Sequence, residues 1–361
     1  VRWIYLILVV LLELLILPGC QTVSEQAPAM TPLVGLSTPP SAAAPEPKVE
    51  AEAAQAPVLP QPPAKVWVRL VDLVSSNGIA AQLARLPKAI HGYEFQTAEA
   101  RLDVAACNRL ARWNGVNCWL GYAPPLIGSQ VHIHNLDVQK TLLPLLTPLA
   151  PANHSRRVVV IDPGHGGRSP GTQNILTGRY EKEYTLDWAL RIANLLQTSG
   201  WQTFLTRTND MDVPIPERIA LADAVQADLF ISLHFNSSYP NREPGGLETY
   251  CLTPAGMPSS LVRDFADDSR QVFANNEFDR ENLQYAVRLH RALLQATGFP
   301  DQSVRRARFM GVLRGQKRPS VLIEGGYLSN PEEARLIASP WFRQKMAAAI
   351  AGVIGQVRPS Q

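Results

Sequence analysis

The chain has 361 residues, a formal net charge of +3 and a hydrophobic fraction of 46%. That length predicts two domains, and so small a positive excess gives no support for nucleic-acid binding. Four cysteines (Cys20, Cys107, Cys118, Cys251) with no CxxC pair make neither a disulfide framework nor a cysteine-based zinc knuckle.

Residues 1–20 read VRWIYLILVVLLELLILPGC. One arginine leads an apolar run, the layout of a secretory signal, shorter than the ~20 apolar residues of a spanning helix. The run is interrupted by Glu13 and closes on Leu17-Pro18-Gly19-Cys20. This resembles a bacterial lipobox, in which cleavage leaves Cys20 as a lipidated N-terminus, although Pro18 stands where that motif has a small or β-branched residue. The expectation is an exported, lipid-anchored protein at the periplasmic face, folding in an oxidising compartment. Gln21 after the cysteine favours the outer membrane over the inner, by analogy. A plain signal peptide and an uncleaved anchor are the alternatives.

Residues 21–64 hold ten of the 30 prolines amid Ala, Ser, Glu and Gln. Such a segment cannot bury enough apolar surface to offset its ordering entropy and is expected to be a disordered, extended linker.

Residues 65–150 are expected to form a small α+β accessory domain. Asn114-Gly115 between strand-like flanks is a hairpin signal, and a two-residue loop sets Ala111 opposite Cys118. Cys107 then lies past that rung, which leaves a Cys107–Cys118 bridge open. Val131-His132-Ile133-His134 alternates like a strand, and 136–146 reads as a short helix. His132 and His134 share a face, where they either face solvent or bind a metal.

Residues 156–358 alternate strands and helices. Strands are predicted at 158–162, 202–206, 229–233, 247–251, 308–313 and 320–324. Helices are predicted at 184–198, 215–225, 283–297, 331–337 and 341–357. The alternation implies an α/β fold with a mostly parallel sheet covered by helices.

Two strands end in histidine. VVVIDPGHGG delivers His165 and SLHFN delivers His234, at strand ends where ligands sit in open α/β sheets. Sixteen residues after His165, Glu181 stands just before the predicted helix, either as a ligand or as a carboxylate suited to a helix N-terminus. The three make a His₂Glu set, and a catalytic zinc takes three protein ligands and keeps one position open for water. Glu324 closes the apolar strand Ser320-Val321-Leu322-Ile323. A buried acid there is costly unless paired or functional, so it is either an ion-pair partner or a general base.

IDPGHGG, YEKEYTLD, LTRTND, PERIALA, ADLFISLHFNS, GLETY and VLIEGGYLSNPEEARLI occur in order from Arg157 to about Gly352. The pattern resembles zinc-dependent N-acetylmuramoyl-L-alanine amidases. The resemblance implies an open, mixed six-stranded sheet flanked by helices, Zn2+ held by His165, Glu181 and His234, and Glu324 as catalytic base. It implies hydrolysis of the amide between N-acetylmuramic acid and L-alanine in peptidoglycan, in cell-wall remodelling or daughter-cell separation. Asp223 departs from the family's usual asparagine. Residues 65–150 loosely resemble the small modules that accompany such amidases.

Asp162 and Asn236, beside the histidines, either orient them or are turn residues. Arg207 and Arg218 either bind stem-peptide carboxylates or form ion pairs. The segment 252–282, with a helix predicted near 261–273, either shapes the substrate groove, is an inert excursion, or covers the zinc until an activator protein removes it, as in some relatives. Two other functions remain open: a non-catalytic wall-binding lipoprotein, and a zinc peptidase cutting within the stem peptide.

Overall fold

Eight short strands come first: β1 (Trp67–Arg69), β2 (Gln82–Arg85), β3 (Gly92–Gln96), β4 (Arg101–Ala105), β5 (Leu110–Trp113), β6 (Val116–Trp119), β7 (Leu126–Ile127) and β8 (Gln130–His134). The structure is a computed structural model and describes residues 66–73, 81–86, 91–149, 157–263 and 266–355. The signal-like run 1–20 with Cys20 and the linker 21–64 lie outside the described residues.

Strands β2 to β6 form an antiparallel meander, while β1, β8 and β7 form a separate three-stranded sheet. The Asn114-Gly115 turn has φ of 46° and 87°, the two left-handed residues of a type I′ hairpin. It sets Ala111 opposite Cys118 as predicted. Cys107 is exposed, Cys118 is buried, and no disulfide joins the two. The predicted helix 136–146 is present as three consecutive helical pieces, Asn135–Asp137, Val138–Leu142 and Leu143–Leu146. His132 bonds to the Gln130 carbonyl at 3.1 Å. His134 stacks on Tyr122 at 3.8 Å, and its ring accepts from Leu136 N.

The remainder alternates: β9 (Val158–Pro163), α1 (Glu181–Thr198), β10 (Gln202–Leu205), α2 (Ile215–Ala224), β11 (Leu229–Asn236), β12 (Leu247–Cys251), α3 (Asp279–Thr297), β13 (Asp301–Arg306), β14 (Ser320–Tyr327), α4 (Pro331–Ala338) and α5 (Pro340–Gly355). The strand order is β10-β9-β11-β14-β12-β13. The first four are parallel, β12 is antiparallel to β14, and β13 is parallel to β12. This is the expected mixed, mostly parallel six-stranded sheet.

The apolar runs are central strands because both faces are covered. Val159, Ile161, Leu229, Ile231, Leu233, Val321 and Ile323 face one core, on which α1, α3 and α5 pack. Val158, Val160, Phe230, Tyr250 and Leu322 face a second, smaller core closed by Ala222 of α2 and by Leu313.

Two predicted elements differ. The strand expected at 308–313 is absent: β13 ends at Arg306, and Gly311–Arg314 is a short helix. The apolar 309–313 run packs in the smaller core as a connection, whereas β13 is a polar sequence whose charges are met by tertiary partners. The helix expected near 261–273 is absent among the described residues, where a short 3-10 helix at Ala274–Phe278 follows an irregular chain.

The sheet does not stop at β13. Its Val304 pairs in parallel with Cys118 of β6, so the meander continues the six-stranded sheet into eleven strands among the described residues. Pro63–Gln361 is one compact unit, and the predicted divide between 65–150 and 156–358 falls within a continuous sheet. No helix among the described residues is long and apolar enough to cross a membrane.

Candidate active site

Strand β9 ends where proline cannot extend the ladder, and the chain turns at Gly164 and His165. A side chain on Gly164 would strike the His234 imidazole at 2.3 Å, so glycine lets the two histidines approach. His165 has φ 63°, a left-handed conformation that carries strain for a non-glycine residue. Two buried arginines hold that turn. Arg207 donates to the carbonyls of Pro163 (3.0 Å) and Gly164 (2.9 Å). Arg218 donates to those of Pro163 (3.1 Å) and His165 (2.9 Å).

Glu181 is the first residue of α1, which begins three residues earlier than the predicted 184–198, so the residue expected just before the helix lies within it. The helix is fixed by Tyr184, Trp188, Ile192 and Leu196, spaced along one buried face. This pins the Glu181 carboxylate between the two histidines. Its Oε1 accepts from Phe235 N at 2.9 Å and lies 3.0 Å from His234 Nδ1. Its Oε2 accepts from Thr172 N at 3.1 Å and lies 3.1 Å from His165 Nε2. A Cβ at Gly171 would sit 2.5 Å from Oε2. The Nδ1 of His165 is 3.0 Å from Ser169 Oγ, which orients the ring and leaves Nε2 for the centre.

One donor atom from each of His165, Glu181 and His234 lies within 4.8 Å of the others. Burial alone would raise the Glu181 carboxyl, but the two imidazoles outweigh it and hold the group well below the usual carboxylate range. Burial opposes charge on His234 as well, and the Glu181 carboxylate overcomes it, pushing the imidazole up to about 9. Two imidazole nitrogens around a carboxylate held ionised are a donor set that a divalent cation can occupy. The residues therefore fit zinc.

Glu324 stands opposite His234 in the parallel β11–β14 register. Partners in register share a face of the sheet. Its Oε2 is sequestered from solvent and has no hydrogen-bond partner among the described residues. Burial first, then the Glu181 and Glu248 carboxylates, push its pKa up to about 7 against the pull of His234 and Arg263.

A family model for N-acetylmuramoyl-L-alanine amidase matches residues 159–356. The chain belongs to that family. The amidase AmiA of Escherichia coli (strain K12) is 30% identical over 229 residues, 57% of this chain and 78% of that protein. The amidase LytC of Bacillus subtilis (strain 168) is 30% identical over 267 residues, 72% of this chain and 48% of its own length. Among solved structures, the catalytic domain of the amidase CwlV from Bacillus (Paenibacillus) polymyxa var. colistinus is 30% identical, with 55% of this chain and 95% of that chain covered and a TM-score of 0.45.

Around the centre of this amidase, the other predicted residues take up support positions. Asp162 touches neither histidine. Its carboxylate accepts from Thr206 Oγ1 (2.5 Å), Arg218 Nη1 (2.5 Å) and Ser232 Oγ (2.7 Å), tying β9, β11 and α2 together. Arg207 and Arg218 are 2% and 7% exposed and are committed to backbone carbonyls and Asp162. Of the two alternatives for these arginines, the internal contacts agree with ion pairing for Arg218, whose partner is Asp162. Asn236 donates to Glu248 Oε2 at 3.1 Å. Asp223 pairs with Arg318 and Lys317 and has no contact with the centre.

The sequence reading missed Glu248, Tyr250 and Arg305. Glu248 lies opposite Glu324 in the antiparallel β12–β14 register and is 5% exposed. A lone acid inside Leu247–Cys251 is the same signal that singled out Glu324. The described residues of the segment 252–282 are tied to the body of the domain, and Arg263 of this segment acts electrostatically on the Glu324 carboxyl. Buried Arg308 donates to Asp267 (2.6 Å) and to the Pro254 and Met257 carbonyls, and Tyr122 of the N-terminal region donates to the Gly256 carbonyl. No hydrogen bond among the described residues joins this segment to His165, Glu181, His234 or Glu324.

Proposed function

We propose that this amidase hydrolyses the amide between N-acetylmuramic acid and L-alanine in peptidoglycan with a zinc ion held by His165, Glu181 and His234, and with Glu324 as general base. The observation that carries this reading is the Oε2 of Glu324, which has no hydrogen-bond partner among the described residues and stands directly opposite His234 on the same face of the sheet. When bound, zinc supplies Lewis acidity towards the amide carbonyl and acidifies water near neutral pH. Glu324 takes the proton of the attacking water on Oε2 and returns it to the nitrogen of the leaving L-alanine. Thr172 N and Phe235 N satisfy the remaining acceptor capacity of Glu181, which keeps that carboxylate ionised and oriented. Arg207 and Arg218 hold the strained His165 turn.

The N-terminal features extend this reading. The apolar run 1–20 supports export, Cys20 supports lipid anchoring at the periplasmic face with the outer membrane favoured, and 21–64 supports a tether reaching to the wall. The work would be wall remodelling or daughter-cell separation, under an activator protein if 252–282 responds to one.

The test is product analysis on purified peptidoglycan with the zinc-loaded protein. The expected products are peptides with a free L-alanine amino group and glycan strands without stems. Cleavage between amino acids would replace this reading with a peptidase. No release from either bond would leave a wall-binding protein.

A further inference from the structure

We propose that the junction between β6 and β13 belongs to the catalytic apparatus: Trp119, Ser303 and Arg305 fix the Glu248 carboxylate beside Glu324, so the N-terminal meander positions the catalytic base. The inference rests on the reading of Glu324 as that base.

A β-bulge starts the argument. On β12, Leu247 and Thr249 are two residues apart, yet their partners on β13, Asp301 and Val304, are three apart. An extra residue re-aims every side chain that follows it. In an unbroken ladder Arg305 would stand opposite Cys251, on the face of the larger core, and bury its charge there. With the bulge it stands opposite Tyr250, on the face shared by Glu248, Glu324 and His234.

The bulge is held in part from β6. Ser303 sits at φ 84°, a conformation costing about 1–3 kcal/mol unless its surroundings impose it. Trp119 Nε1 donates to Ser303 Oγ at 2.8 Å, and Asn117 N donates to Asp301 Oδ2 at 2.8 Å. Ser303 N and His290 Nε2 bond to the other oxygen of Asp301 at 2.8 and 3.0 Å. The Trp119 ring also lies under two guanidinium groups, Arg305 at 5.7 Å and Arg109 at 5.8 Å.

Arg305 in turn donates from Nε to Glu248 Oε1 at 2.9 Å. Tyr250 Oη (2.6 Å) and Asn236 Nδ2 (3.1 Å) donate to Oε2. Glu248 faces Glu324 across the β12–β14 ladder. Arg305, Tyr250 and Asn236 occupy both oxygens of Glu248 and hold its carboxylate in place, and among the described residues none of them donates to Oε2 of Glu324, which stays open for the reaction. Asn236, held by Glu248, fixes the chain just after His234.

The test uses the full chain, zinc-loaded, with four variants: Glu324→Gln, Arg305→Gln, Arg305→Lys and Trp119→Phe. The measurements are kcat, KM and zinc content on a muramoyl-L-alanine substrate. Arg305→Gln should lower kcat about 10–100-fold, the usual loss for a group that orients a catalytic residue, with KM and zinc content unchanged. Arg305→Lys should recover most of that loss. Trp119→Phe keeps the ring but removes the donor to Ser303; it should lower kcat by less, and combining it with Arg305→Gln should add nothing, as contacts in one network do. Wild-type kcat in Arg305→Gln, a change confined to KM, or additive losses in the double variant would overturn the proposal. Should Arg305→Gln fail to fold, wild-type kcat in Trp119→Phe would do the same. Full activity in Glu324→Gln would instead overturn the base itself, which separates the two failures.

Discussion

The two ends of the polar row on this sheet face differ in one respect, and it decides what each does. At the crevice between β9, β11 and β14, Glu324 has an oxygen with no partner among the described residues. Directly opposite it on β12, Glu248 has three donors on its two oxygens. Both are glutamates inside apolar strands, on the same face and in direct register. An open buried carboxylate is expensive and therefore available for proton transfer; a closed one is structure. Under the proposed mechanism, residue type and burial do not separate the base from its support. Hydrogen-bond satisfaction does.

The largest expected effect comes from exchanging the carboxylates one at a time. Glu324→Gln should cost about 10²–10⁴-fold in kcat, the range for removing a general base, while zinc content stays at the wild-type level. Glu248→Gln should cost only about 10–100-fold. Equal losses at the two positions would erase the distinction between open and closed carboxylates. Metal analysis and steady-state kinetics on the same preparations check both values.

The crevice itself depends on the arginines behind it. Arg218→Met removes the ion pair to buried Asp162 and the bond to the His165 carbonyl. Leaving Asp162 unpaired should cost about 3–5 kcal/mol of stability. Relaxing the His165 turn should weaken zinc binding about 10–100-fold. Thermal melting and titration against a competing chelator measure the two separately. Wild-type zinc affinity in a folded Arg218→Met protein would show that the turn holds itself.

Much of the crevice was legible in the sequence because its parts are local. β-branched runs buried on both faces announce strands β9, β11 and β14, and His165, His234 and Glu324 sit at or just past the ends of those apolar runs. The support region was not legible. The strand Asp301–Arg306 reads DQSVRR, with no apolar run to mark it; its polarity is met by Glu248, Thr141, His290 and Trp119 from elsewhere in the chain. Its bulge and its pairing with β6 leave no local trace. Hence the misplaced strand at 308–313, the separate accessory domain, and the substrate role considered for Arg207 and Arg218.

Smaller effects test the segment 252–282. Asp267 is half-buried, and burial alone would raise its carboxyl; bonds from Ser259 and the Arg308 guanidinium hold it below the usual range instead. A depressed folded-state pKa gives stability that is complete above the unfolded value of about 3.9 and is lost as pH falls through the folded value. Asp267→Asn should therefore lower the melting temperature at pH 7, and the gap to wild type should close below about pH 4. A gap that persists at acid pH would mean that shape, and not the charge pair, anchors the segment.

The smallest effect is the sharpest test of how the meander reaches the site. Gly115 has φ +87°, and nothing lies within 4 Å of where a Cβ would stand. Gly115→Ala therefore pays only for the left-handed backbone, about 1 kcal/mol, a few degrees in melting temperature for a unit of this size. The rungs Arg112–Asn117 and Ala111–Cys118 would keep Trp119 in register, so kcat should not change. If kcat falls with the melting temperature, the meander acts on the site through its overall rigidity. If stability falls alone, the influence runs through the contact of Trp119 with Ser303, because that contact is what the substitution leaves intact.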